Sequence, residues 1–140
     1  MAYPLMLDTD IASCVIKARY PSVDARFAGA DPARICVSAV TQSELIFGLK
    51  NLDPAHRLHL NVRRFLRDTP ILAWGEEAAE IHADVRHRLS SAGNVIGELD
   101  MMIAAHAMSL DAVLVTSNTR HFVRLAPSLA IENWVADPLE

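Results

Sequence analysis

Long hydrophobic runs are missing from this 140-residue chain. No apolar stretch approaches the roughly 18–20 residues that a membrane span requires. The opening, Met1 to Leu7, has no basic region and meets Asp8 at once, so a secretory leader is not expected. Cysteine is scarce. Cys14 and Cys36 lie in apolar stretches without metal-ligand spacing, which excludes a disulfide framework and reads as two buried thiols of a cytoplasmic protein. Lysine is scarcer still for its class: only Lys17 and Lys50 stand among the 13 basic residues, the rest being arginine. Five glycines and seven prolines are too few for a low-complexity chain. A surplus of positive charge is also lacking. The net charge of −4 counts against an indiscriminate grip on nucleic acid. What is present is a 51% hydrophobic composition, which excludes disorder. The length suits one domain, able to bury about 68–70% of the surface its unfolded chain exposes.

Short apolar runs at 3–7, 35–38, 71–74, 112–115 and 129–134 read as strands. Between them, helical spacing predicts helices over 11–20, 41–50, 54–67, 76–89 and 99–110. Thr9 or Asp10 is the expected N-cap of the first helix, and Pro21 its end; Asp53-Pro54 is the expected start of the third. This alternation implies an α/β layered domain with a mainly parallel sheet and no internal linker. Ligands of such sheets gather at the carboxyl ends of the strands, where Asp8 and Thr116-Ser117-Asn118 fall.

Most of the 17 acidic residues lie on polar faces, in loops or in the tail. Asp8, Glu44 and Asp100 instead sit within apolar sequence, where an unpaired carboxylate is costly. Each has a structural alternative. Asp8 can cap a helix. Thr41-Gln42-Ser43-Glu44 has the form of a capping box. Asp100 can favour a helix dipole. Yet all three begin helices that follow a strand or a tight turn. If they converge, charges about 4 Å apart repel by about 4 kcal/mol at an effective dielectric of 20. Local hydrogen bonds of about 1 kcal/mol each do not offset that. A divalent cation does, and Mg²⁺ or Mn²⁺ suits oxygen ligands. Such a site is suited to phosphodiester cleavage.

Met6-Leu7-Asp8-Thr9-Asp10-Ile11 resembles the opening M-L-D-T-N-I of PIN-domain toxins of the VapC type. The segment Ser38 to Gly48 resembles their S-x-x-T-x-x-E-L-x-x-G, and Ile96 to Ala107 their I-G-x-x-D-x-x-I-A-A-x-A. Leu114 to Phe122 resembles L-V-T-x-N-T-R-x-F, and Ile131 to Trp134 the closing strand. The resemblance implies a three-layer α/β/α PIN domain over 1–140, with its core at about 3–134 and a short C-terminal tail. It implies a Mg²⁺- or Mn²⁺-dependent endoribonuclease that cuts tRNA or ribosomal RNA and arrests translation. Asp8, Glu44 and Asp100 match the family's metal-holding carboxylates. A blocking antitoxin and a homodimer are implied as partners. The family's fourth acidic residue is not matched: Asn118 and His121 stand in its region. Asn118 can still hold a metal-bound water, whereas Glu98 lies two residues before Asp100 and so on another helix face.

Thr116, Ser117, Arg120 and Arg124 are placed to meet RNA. Arg57, Arg63, Arg64 and Arg67 read as a solvated stripe, with phosphate contact as the functional alternative. His56 and His59 share a spacing of three but lack a third ligand, and His106, Met101, Met102 and Phe47 read as core. Two further readings stay open. Asp8-Thr9-Asp10 imitates the start of a haloacid-dehalogenase-like phosphatase, but Ala12 and the scarcity of lysine oppose it; the same scarcity opposes a receiver-like domain. The other is a PIN-fold binding module that has lost catalysis.

Overall fold

A computed structural model describes residues 4–93, 96–125 and 127–135. Five strands make one sheet: β1 (Leu5–Leu7), β2 (Ile35–Ser38), β3 (Ile71–Leu72), β4 (Val113–Val115) and β5 (Ala130–Glu132). Their order is β3-β2-β1-β4-β5, and every neighbouring pair is parallel. Tyr3, expected to open β1, lies outside the described residues.

The helices are α1 (Thr9–Lys17), α2 (Pro21–Gly29), α3 (Ala39–Phe47), α4 (Leu58–Asp68), α5 (Glu76–Ser91), α6 (Glu98–Ser109) and α7 (Thr119–Phe122). Side chains alternate across the central strands. Leu5, Leu7, Ile35 and Val37 enter one apolar cluster with Ile11 of α1, Val23 of α2 and Phe65 of α4. Met6, Cys36 and Leu114 enter another with Val85 and Leu89 of α5 and Ile103 of α6. A sheet buried on both faces between helices is the three-layer α/β/α domain, and it explains why the strands read as unbroken apolar runs. Both cysteines are buried and free, and burial raises both thiol pKa values, that of Cys36 to about 11.

Several local expectations are corrected. Asp8, not Thr9 or Asp10, caps α1: its carboxylate accepts from the Ile11 amide at 2.8 Å. The helix stops at Lys17 because Ala18 turns left-handed at φ 49°, and the Ala18 and Arg19 amides close back onto Val15 and Cys14. Pro21 begins the unexpected helix α2, since proline at the first helical position forfeits no internal hydrogen bond. Ser38 caps α3, which puts Thr41 inside the helix and removes the capping-box role of Glu44. Asp53 caps a turn through the Ala55 amide, and α4 starts only at Leu58. His56 therefore precedes α4, and its Nδ1 accepts from the Leu58 amide, so it shares no helix face with His59. Phe47 is 73% exposed at the end of α3, whereas Met101 and His106 are buried as expected.

Candidate functional site

The strand order reverses at β1, which lies between β2 and β4, and the carboxyl ends of these three strands supply the site. Asp8 follows β1 directly. Its amide donates to the Val115 carbonyl of β4 at 3.0 Å, which ties it to the neighbouring strand end. The side chain is only 2% exposed. Burial raises its pKa to about 7, and the charges of Asp10 and Asp100 add to the rise; hydrogen bonds from the Thr116 side chain and the Ile11 amide oppose it. Thr116 follows β4 and is itself fully buried, so its hydroxyl serves Asp8 rather than an external ligand. The same oxygen accepts from the Asn118 amide at 3.0 Å, fixing the turn after β4.

Glu44 sits on α3, half-buried. Thr9 Oγ1 donates to Glu44 Oε1 at 2.6 Å and lies 3.1 Å from Thr41 Oγ1. With the Thr9 proton committed to Glu44, the Thr41 hydroxyl donates to Thr9. A buried hydroxyl on α3 thus orients a hydroxyl on α1, which in turn holds a carboxylate. Asp100 occupies the first turn of α6. Its pKa is raised by burial and then by the charges of Glu44 and Asp10, with His121 acting in the opposite direction. The three expected carboxylates therefore share one electrostatic neighbourhood.

Asp10, on sequence grounds an N-cap candidate and the second acid of a phosphatase-like Asp8-Thr9-Asp10, belongs to this group. It is exposed in the first turn of α1, and Asn118 Nδ2 donates to its Oδ2 at 3.4 Å. The available signal was Asp8-Thr9-Asp10 itself: once Asp8 caps the helix, Asp10 must fall in its first turn. Asp10 and Glu44, with Thr9 and Ser13, line a recess of about 180 Å³. Asn118 joins the group through Asp10, and His121 through Asp100. Glu98 does not, because it pairs with Arg86 on α5 at 3.4 Å. Ser117 is half-buried, and Arg120 and Arg124 are exposed on α7 and the turn after it. His106 Nδ1 bonds Ser38 Oγ at 2.9 Å, and burial lowers its pKa, so this imidazole is a neutral brace for the β2–α3 junction.

Among the described residues, no three His, Cys, Asp or Glu side chains are close enough together to hold a metal ion. The donor set is nevertheless all oxygen, the chemistry of Mg²⁺ and Mn²⁺ sites. The raised pKa values of Asp8 and Asp100 show carboxylates whose charges lack compensation, and a cation is what would supply it.

A family model described as PIN domain matches residues 5–126. Ribonuclease VapC2 of Haemophilus influenzae is 37% identical over 130 residues, covering 93% of this chain and 97% of that protein. The chain belongs to the VapC-type PIN-domain ribonuclease toxins. The tRNA(fMet)-specific endonuclease VapC of Shigella flexneri is 35% identical over 129 residues, covering 92% and 96%. A chain from the crystal structure of DNA-bound VapBC from Salmonella typhimurium superposes with a TM-score of 0.85 at 35% identity, covering 95% and 99%. The PIN assignment removes the phosphatase reading of Asp8-Thr9-Asp10. Among the described residues no helix is long and apolar enough to cross a membrane.

Proposed function

We propose that this PIN-domain toxin is a Mg²⁺-dependent endoribonuclease, with Mn²⁺ as a substitute, that hydrolyses phosphodiesters of tRNA or ribosomal RNA and so arrests translation. The observation that carries the reading is the grouping of Asp8, Glu44, Asp100 and Asp10 where β1, β2 and β4 end. The names of the Shigella and Salmonella relatives favour tRNA as substrate. The similarity to a chain of a VapBC assembly favours a cognate antitoxin that covers the recess. The toxin's expected form is a homodimer in the cytoplasm.

Asp8, Glu44 and Asp100 would hold the cation, with Asp10 as a further carboxylate and Asn118 positioning it. When bound, the cation supplies an activated water and neutralises charge developing on the phosphate. The protein's part is positioning. Thr116 and the Ile11 amide fix Asp8, Thr9 fixes Glu44, and Asn118 restrains Asp10. Hydrolysis breaks the bond from phosphorus to the 3′ oxygen, leaving a 3′-hydroxyl and a 5′-phosphate.

A second reading is a binding module without turnover, favoured by the finding that, among the described residues, no three such side chains are close enough together to hold a metal ion. Glu44→Gln separates them, because glutamine can keep the bond from Thr9 while losing the charge. Purified wild-type protein should cut a tRNA pool in Mg²⁺ and stop in EDTA, while Glu44→Gln should be slowed at least about a hundredfold, an effect of about 3 kcal/mol on the barrier. RNA that binds the wild type yet stays intact in both Mg²⁺ and Mn²⁺ would establish the binding module instead.

A further inference from the structure

A second cavity adjoins the carboxylate recess. Ile16, Lys17 and Leu58 line both the recess and a second, larger cavity of about 670 Å³ between the end of α1 and the start of α4. The wall of this cleft is basic. It carries Lys17 and Arg19 from the α1 terminus, and Arg57 with His56 from the α4 start. All four are exposed. Among the described residues, Lys17, Arg19 and Arg57 take part in none of the ion pairs, and no carboxylate lines the cleft. Arg57, at the N-cap of α4, makes no side-chain cap and His56 Nδ1 takes only the Leu58 amide, so the positive dipole end of the helix adds to the same potential.

We propose that this cleft binds backbone phosphates of the RNA strand whose scissile bond lies at the carboxylates, an inference that rests on the metal-dependent ribonuclease reading. A recess walled by carboxylates repels a polyanion, and a chain of net charge −4 has few cations to spare. Three exposed cations, in a cleft that shares Ile16, Lys17 and Leu58 with the recess, offset that repulsion where the strand must enter. The volume is within the roughly 300–1,000 Å³ of small-molecule and cofactor sites. The guanidinium groups of Arg19 and Arg57 can each hold a phosphate through two parallel hydrogen bonds. The cleft is distinct from the cavity that Arg120 lines with Ser117, Asn118 and His121 beyond β4. Its position explains how a narrow acidic recess can serve a long anionic substrate: the charges that hold the strand stand beside the charges that would hold the cation.

The test measures binding apart from cleavage. A fluorescein-labelled single-stranded RNA is titrated with protein in EDTA at several KCl concentrations, and anisotropy gives Kd. Replacing Lys17, Arg19 and Arg57 by Gln together should raise Kd about tenfold or more at moderate salt. It should also reduce the slope of log affinity against log salt by about 2, since each phosphate contact on a single strand contributes about 0.7. Arg88→Gln on α5 should change neither. If the triple variant does not fold, Lys17→Gln alone should reduce the slope by about 0.7. Unchanged affinity and slope, with wild-type protein still cutting RNA in Mg²⁺, would overturn the cleft and leave the ribonuclease reading intact. Binding that depends on the three cations, with no cleavage in Mg²⁺ or Mn²⁺, would support the cleft and overturn the metal-dependent reading. Loss of a copurifying acidic peptide with RNA affinity intact would assign the cleft to a protein partner and overturn the proposal.

Discussion

Removing the charge of Asp8 should stabilise the metal-free protein, and should do so more strongly as pH rises. Asp8 is 2% exposed, and its pKa stands at about 7 against an ordinary value of 3.8. A carboxyl whose pKa is higher folded than unfolded holds its proton more tightly in the native state. The resulting stabilisation is complete below about pH 4 and is lost as pH rises through about 7. The whole shift corresponds to about 4 kcal/mol, of which about 3 kcal/mol falls between pH 5 and pH 8. Asparagine keeps an oxygen for the Ile11 amide and is as good an N-cap as aspartate. Urea denaturation of wild type and Asp8→Asn in EDTA, at about pH 5 and about pH 8, reads the difference directly. The raised pKa of Asp100 gives both proteins a slope of the same sign, so the divergence between them belongs to Asp8 and its coupling to Asp100. The variant should gain about 2–4 kcal/mol over wild type at the higher pH. Parallel profiles, or a variant less stable than wild type at pH 8, would refute the claim that the buried charge lacks compensation.

Mg²⁺ or Mn²⁺ should raise the melting temperature of wild type at pH 8, by an amount equivalent to about 3 kcal/mol at a hundred times Kd, and should barely move Asp8→Asn. Asp10→Asn should weaken Mn²⁺ binding in calorimetry without changing the melting temperature of the metal-free protein, because Asp10 is exposed; unchanged Mn²⁺ affinity would remove it from the metal-holding group. Thr9→Val should cut RNA cleavage more than it cuts stability, since the Thr41–Thr9–Glu44 relay orients a carboxylate rather than supporting the core; denaturant midpoints and single-turnover rates compare the two. Ile103→Ala, at a fully buried position of α6, should cost about 2–5 kcal/mol in urea denaturation.

Much of the candidate site was legible because three chemical oddities, Asp8, Glu44 and Asp100, stand in apolar sequence and within ordered motifs. Asp10 was not, because a helix start offers an acidic residue a satisfactory local role, and only the cap at Asp8 shows that Asp10 stands beside Asn118 of the last motif. Glu98 illustrates the converse. Its place two residues from Asp100 left it a weak candidate, and an arginine on α5 draws it away. Helix α2 was hidden for a physical reason, since proline reads as a stop although it is also tolerated at a start.

By itself, the sequence determined the layered class, the mainly parallel sheet and the family, because apolar runs of strand length and ordered motifs are local patterns. It also showed that three carboxylates needed an explanation. Only the tertiary structure decided which strands are neighbours, and so which of the 17 acidic residues share one electrostatic neighbourhood. Neither the relay from Thr41 to Glu44 nor the placing of a basic cleft beside the recess could be read along the chain. Both arise where α1 meets α3 and α4, and contacts between residues far apart in sequence leave no periodicity to read.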